Sequence, residues 1–187
     1  MRRHITKTII AGCFLLMPQF VKGQNPGIPA PEFNNQVMAI AANNTLSNLD
    51  KTELFPDTKI GLGTAKAYYR ADGCCAKVAM SGAPNERYIV KVGAGIDPAS
   101  IVELYEFDEG KKSRKLLNKS VGSGARNHSE MVQIQLVFKK VADGVYGISH
   151  KEQLPEGEYI FIINSGANTQ SLQMTMPKAF CFSVGGK

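Results

Sequence analysis

The sequence predicts an all-β protein: a single Greek-key β-sandwich, immunoglobulin- or transthyretin-like, behind a cleaved signal peptide. Three observations carry this. Short runs of β-branched and aromatic residues recur along the chain with turn signals between them. After the N-terminus no segment of roughly ten residues or more holds a 3.6-residue period, so the helices that a parallel sheet needs are missing. Leu154, Gly157 and Tyr159 have the spacing of a tyrosine corner, in which a Tyr near the start of a strand bonds its hydroxyl back to upstream backbone.

Composition bounds the rest. The chain has 187 residues and 43% of them are hydrophobic, which suits one globular domain and excludes a disordered chain. Residues 1–23 read as a secretory address. Arg2, Arg3 and Lys7 precede an apolar stretch from Thr8 to Val21, and Val21 and Gly23 are small residues before a cut at Gln24. That stretch is too short to span a bilayer, which takes about 20 apolar residues. Ile10 to Cys13 matches a lipobox, but the apolar run continues past Cys13 to Met17, where a lipoprotein turns polar. Removing Arg2, Arg3, Lys7 and Lys22 leaves 18 bases against 16 acids. The basic balance of the whole chain therefore belongs mostly to the address, and total charge gives no support to nucleic-acid binding.

The elements follow in order. Residues 24–35 are a Pro-rich extended leader, and residues 36–187 form the sandwich domain. Val37 to Leu49 reads as a hairpin turning at Asn43 and Asn44, since Asn tolerates positive φ. Residues 50–63, with Pro56 and two glycines, read as a loop. Residues 64–71 and 76–82 flank Asp72 and Gly73, a strong hairpin signal. Residues 87–92 form a strand. Asp97 and Pro98 can open a helical turn. Residues 101–107 and 113–119 read as a hairpin across Asp108 to Lys111, followed by a loop over 120–130. Val132, Ile134, Leu136 and Phe138 alternate on one face of the next strand. Strands at 145–148, 158–163, 171–176 and 179–184 complete about eleven or twelve.

From Ile28 to Glu32, through Asp97–Pro98 with Ile101 and Leu104, Arg114, the Leu154, Gly157, Glu158 and Tyr159 corner and the terminal Phe180 to Val184, the chain resembles a group of secreted Bacteroidetes proteins of unknown function. The resemblance implies a β-sandwich of unassigned role and brings no catalytic residues. Cys74 and Cys75 lie outside it.

Motifs of chemistry are absent from the sequence. The glycine-rich stretches at 61–66, 93–97 and 122–126 complete neither G-x-G-x-x-G nor a Walker pattern. There is no G-x-S-x-G elbow and no H-E-x-x-H. His128 and His150 read as solvated surface residues. The mature chain keeps Cys74, Cys75 and Cys181. Cys181, between two phenylalanines, reads either as a buried apolar thiol or as the partner of Cys74 or Cys75 in a disulfide; a vicinal Cys74–Cys75 bond is a third arrangement. Lys111, Lys112, Arg114 and Lys115 form a basic cluster, a candidate anion site unless Glu103, Glu106, Asp108 and Glu109 offset it across the hairpin.

The expectation is an exported module, periplasmic, outer-membrane-associated or extracellular, that binds rather than catalyses. No catalytic residue, metal or cofactor is assigned. An envelope protein or an acidic glycan is the expected partner. The alternatives are a subunit of a surface assembly joined by edge strands, or a small secreted enzyme without a visible motif.

Overall fold

The computed structural model describes residues 29–61, 64–85, 87–110, 112–122, 133–164 and 177–185. It is all-β, and fourteen strands and one 3-10 turn are formed by these residues. The strands are β1 (Gln36–Ile40), β2 (Leu46–Asn48), β3 (Asp50–Thr52), β4 (Phe55–Gly61), β5 (Thr64–Asp72), β6 (Ala79–Met80) and β7 (Tyr88–Lys91). After the turn at Pro98–Ser100 come β8 (Val102–Phe107), β9 (Ser113–Gly122), β10 (Gln133–Ile134), β11 (Leu136–Ala142), β12 (Val145–His150), β13 (Gly157–Ile163) and β14 (Lys178–Val184).

Two sheets make the sandwich. One has the order β11-β12-β7-β1-β2 and the other β10-β8-β13-β14-β3, with β6 added parallel to β14. Both sides are closed by chain that crosses between the sheets. β2 belongs to the first sheet and β3 to the second, with buried Leu49 as the single residue between them. On the far side β10 pairs with β8 and β11 with β12, and the chain crosses at Gln135. The expected strand over 132–139 is thus two short strands in different sheets. Its alternation survives the crossing: Ile134, Leu136 and Phe138 pack toward the core while Gln133, Val137 and Lys139 face solvent.

The core between the two sheets is aromatic. Tyr88, Phe161, Phe182 and Tyr159 are completely buried. Tyr88 meets Phe161 edge-on at 4.9 Å, and Tyr159 stacks on Phe182 at 5.4 Å, both favoured arrangements. The Tyr159 hydroxyl donates to the Pro155 carbonyl at 2.9 Å. Burial, with Glu106 adding to it, pushes this phenol up to about 12, so it stays protonated as a donor. Leu154 is buried below the corner. Gly157 has no positive φ, and a Cβ there would meet the Tyr159 ring at an ordinary 3.8 Å. The glycine the corner requires is Gly82. Its φ is +64°, a Cβ would lie 2.6 Å from Val184, and its carbonyl accepts the Leu154 N–H at 2.9 Å.

The third sheet, β4-β5-β9, was not expected, and it corrects three readings. Residues 50–63 hold β3 and β4 rather than a loop. Asp72 and Gly73 do not join a hairpin, because β5 pairs with β4 and β9 while β6 pairs with β14. Nor do β8 and β9 form a hairpin: after one bridge, Asp108 to Lys115, β8 stays in the sandwich and β9 leaves it. The third sheet packs on the outer face of the second. Leu54, Ala71 and Leu116 meet Tyr105, Phe107, Ile160, Ile162, Ala179 and Cys181 there, so the second sheet is covered on both faces. The Asn43–Asn44 hairpin and the helical turn opened by Asp97 and Pro98 form as expected, with φ of 61° at Asn44, and Gly144, with φ of 70°, lies in the turn that joins β11 to β12. The strand expected at 171–176 lies outside the described residues.

Candidate functional site

The third sheet has two unlike faces because side chains alternate along a strand. In β5, Tyr69 and Ala71 point to the second sheet. Tyr68 and Arg70 therefore point away, as do their cross-strand neighbours. Lys59 lies opposite Lys66, Asp57 opposite Tyr68, and Phe55 opposite Arg70, which also faces Lys115 of β9. Rings hold two of these cations in place. Arg70 lies over Phe55 at 5.5 Å and Lys115 over Tyr68 at 4.8 Å. Arg70 also takes both carboxylates of this face, Asp57 at 3.8 Å and Asp72 closer still. Among the described residues Lys59, Lys66 and Lys115 make no ion pair. Like charges directly opposite across a ladder destabilise it, so Lys59 and Lys66 together are a structural cost.

Charge is segregated to match. Strands β4, β5 and β9 carry Lys59, Lys66, Arg70, Arg114, Lys115 and Lys119 against Asp57 and Asp72. Residues 24–187 outside these strands are left with 12 bases against 14 acids.

The free edges of this sheet are blunted. Among the described residues β4 pairs only with β5, and β9 beyond β5 makes only the Asp108 bridge. β4 carries Pro56, Asp57 and Lys59. β9 has a bulge where Asn118 is skipped between Leu117 and Lys119. Proline, charge and bulges are the devices by which edge strands avoid pairing with other chains.

The expected basic cluster is dispersed. Lys111 lies outside the described residues. Lys112 and Lys115 are exposed. Arg114 faces inward and is 4% exposed, packed over the Phe107 ring at 5.3 Å and paired with Glu158 at 3.2 Å. It is therefore withdrawn from any anion site. Glu158 also accepts the Ala76 N–H at 2.7 Å. Burial outweighs these partners and raises the Glu158 carboxyl above its ordinary range. The pair ties β9 to β13, and it pins the third sheet to the sandwich beside the apolar contact. Of the acids expected to offset the cluster, Glu103 accepts from Asn164 at 2.9 Å, and Asp108 meets Lys115 through backbone hydrogen bonds.

Among the described residues Cys74, Cys75 and Cys181 are joined by no disulfide. Cys181 is wholly buried, and burial pushes its thiol up to about 12. Cys74 and Cys75 are exposed in the turn after β5. Neither a bond to Cys181 nor a vicinal bond is present. His128 lies outside the described residues. His150 corrects its reading: it is completely buried, with Nδ1 2.8 Å from the Glu152 carbonyl oxygen and Nε2 without a hydrogen-bond partner among the described residues. Among the described residues no three His, Cys, Asp or Glu side chains gather as a metal site. No helix among them is long and apolar enough to cross a membrane.

Sequence reasoning missed Phe55 and Lys59 because Pro56 and the glycines near it read as a loop, and Lys66 and Arg70 because their strand was read as pairing across Asp72–Gly73. The alternation of Asp57, Lys59 and Gly61 with Thr58 and Ile60 was the available signal. No protein-family model, curated protein or solved structure matches this chain.

Proposed function

We propose that the protein is an exported, non-catalytic binding module of the bacterial envelope that holds an acidic glycan on the outer face of β4-β5-β9. The single observation that carries this reading is the Lys59–Lys66 pair. Two cations sit directly opposite each other and make no ion pair among the described residues, beside Lys115 and Arg70 held over rings. A surface that keeps such a cost is suited to an anion that removes it. Fixed cations also lose less side-chain freedom when they bind. Export is supported by residues 1–23 and by the resemblance to secreted Bacteroidetes proteins. The blunted edges count against assembly by strand addition. Catalysis finds little support, since burial pushes the Cys181 thiol up to about 12 even with Arg114 beside it, and buried His150 belongs to the other sheet of the sandwich.

The test is affinity electrophoresis of residues 24–187 in polygalacturonate. Retardation that weakens with salt is expected, because exposed charge pairs are screened beyond about 10 Å at 0.1 M. Lys59→Gln/Lys66→Gln should lose most of it. Equal retardation of the variant would remove this face from the reading. The exported protein should begin at Gln24; a lipid-bearing N-terminus at Cys13 would contradict that start.

A further inference from the structure

A second cleft lies on the sandwich itself, where the chain crosses from β10 to β11. One wall is Gln133, Ile134 and Gln135; the other is the segment from Lys151 to Pro155; Glu106 and Tyr159 complete it. Its volume is about 270 Å³.

The wall from Lys151 to Pro155 is held by its own hydrogen bonds. The Glu152 carbonyl is bound by His150, the Leu154 carbonyl by Gln153 at 3.2 Å, and the Pro155 carbonyl by Tyr159. The Leu154 N–H is held by Gly82. The opposite wall is pinned on both sides of the crossing, Ile134 to Leu104 and Leu136 to His150. A cleft with such walls needs little ordering when a ligand enters.

Its lining is divided by polarity. Ile134 and Pro155 give its apolar surface, with buried Leu154 and Tyr159 beneath. Exposed Gln133 and Gln135 add amide donors and acceptors, and Glu106, Glu152 and Lys151 add two carboxylates against one ammonium. Apolar contact with a few polar groups is the usual pattern of a small-molecule site. The volume lies just under the roughly 300 Å³ at which sites for drug-sized ligands begin, so it suits a single ring. The net negative rim disfavours an anion. These features together point to a ligand with one apolar face, hydroxyls around its edge and no negative charge.

We infer that the cleft between the β10–β11 crossing and residues Lys151 to Pro155 binds one neutral pyranose sugar, with Gln133 and Gln135 taking its hydroxyls. This does not rest on the third sheet, which takes acidic groups on another face.

The test is a titration of residues 24–187 with D-glucose, D-galactose and N-acetyl-D-glucosamine, followed by amide NMR shifts. At least one sugar should saturate with Kd on the order of 1 mM, as suits one ring. The shifts should gather at residues 133–135 and 151–155. Gln133→Ala/Gln135→Ala, both at exposed positions, should weaken binding about tenfold or more, with the fold unchanged by circular dichroism. D-glucuronate should bind more weakly than D-glucose. No saturation with any of the three sugars, an unaltered Kd in the variant, or tighter binding of D-glucuronate would each overturn the inference. Lys59→Gln/Lys66→Gln should leave the sugar titration unchanged, so failure here is distinct from failure of the acidic-glycan reading.

Discussion

In the sandwich, the chain on each side turns from one sheet into the other at Leu49 and at Gln135, and the aromatic core is enclosed between them. In the third sheet, three strands lie on a finished surface with one face buried and the other bare. Its outer edges are defended by Pro56 and by the bulge at Asn118 instead of being closed. The first arrangement spends its polar groups on itself. The Tyr159 hydroxyl, the Gly82 carbonyl and the His150 ring all bind backbone nearby. The second leaves three ammonium groups without ion partners among the described residues. Stability and the proposed binding of an acidic glycan are therefore assigned to different layers, which are joined by an apolar contact, the buried Arg114–Glu158 pair and the Asp108–Lys115 bridge.

The joint is where the comparison breaks most easily. Arg114→Met leaves Glu158 buried without its cation and should cost about 3–5 kcal/mol. Adding Glu158→Leu should recover most of that loss, since an apolar pair of similar volume replaces a buried ion pair well. Denaturant midpoints of the three proteins form the cycle; full additivity would mean that the pair does not join the layers. The carboxyl also sets a sign with pH. A group whose pKa is raised on folding binds more protons in the folded state. Stability at Glu158 should thus be full below the ordinary carboxylate range and decline as pH rises through the raised value. Glu158→Gln should flatten that part of the pH profile.

Leu116→Ala should cost about 2–5 kcal/mol by opening a cavity between the layers. Hydrogen exchange should quicken in β4, β5 and β9 more than in β13. Equal loss across both regions would mean that they unfold as one unit.

Within the sandwich, Tyr159→Phe should cost about 1 kcal/mol, the net worth of one hydrogen bond, since the Pro155 carbonyl loses its donor. Gly82→Ala should cost ~1–3 kcal/mol through its left-handed φ and the contact with Val184. Gly157→Ala should be milder. Thermal melts of the two alanine variants rank them, and the reverse order would move the strained turn of the corner back to Gly157.

The smallest effect belongs to the outer face. Lys59→Gln/Lys66→Gln should change stability by no more than about 1 kcal/mol, and toward greater stability, because a like-charge pair is removed. A clear loss in thermal melts would make these lysines part of the frame.

The sandwich was legible because its signals are local. Asn44, Gly144 and the Asp97 cap each need one residue type at one place, and the tyrosine corner needs only a short spacing. The third sheet was not legible, since its pairings join residues far apart and the turn signal at Asp72–Gly73 pointed elsewhere. One clue was present. β13 and β14 read as nearly continuous apolar runs, Tyr159 to Ile163 and Ala179 to Phe182, where a strand with one wet face alternates. Such runs require cover on both faces, and the third sheet supplies it. Arg114 misled for a related reason: a base among lysines reads as solvated until the strand's inward face is known. His150 sits at the end of its strand, but the segment that follows folds back over it.

The central claim is that the third sheet is the docking surface and the sandwich its frame. Hydrogen–deuterium exchange of residues 24–187, with and without polygalacturonate, tests it most directly. The account predicts slowed exchange in β4, β5 and β9, absent in Lys59→Gln/Lys66→Gln and lost at high salt, with the sandwich strands unchanged. Protection confined to the sandwich strands, or protection of β4, β5 and β9 that survives loss of both lysines, would contradict it.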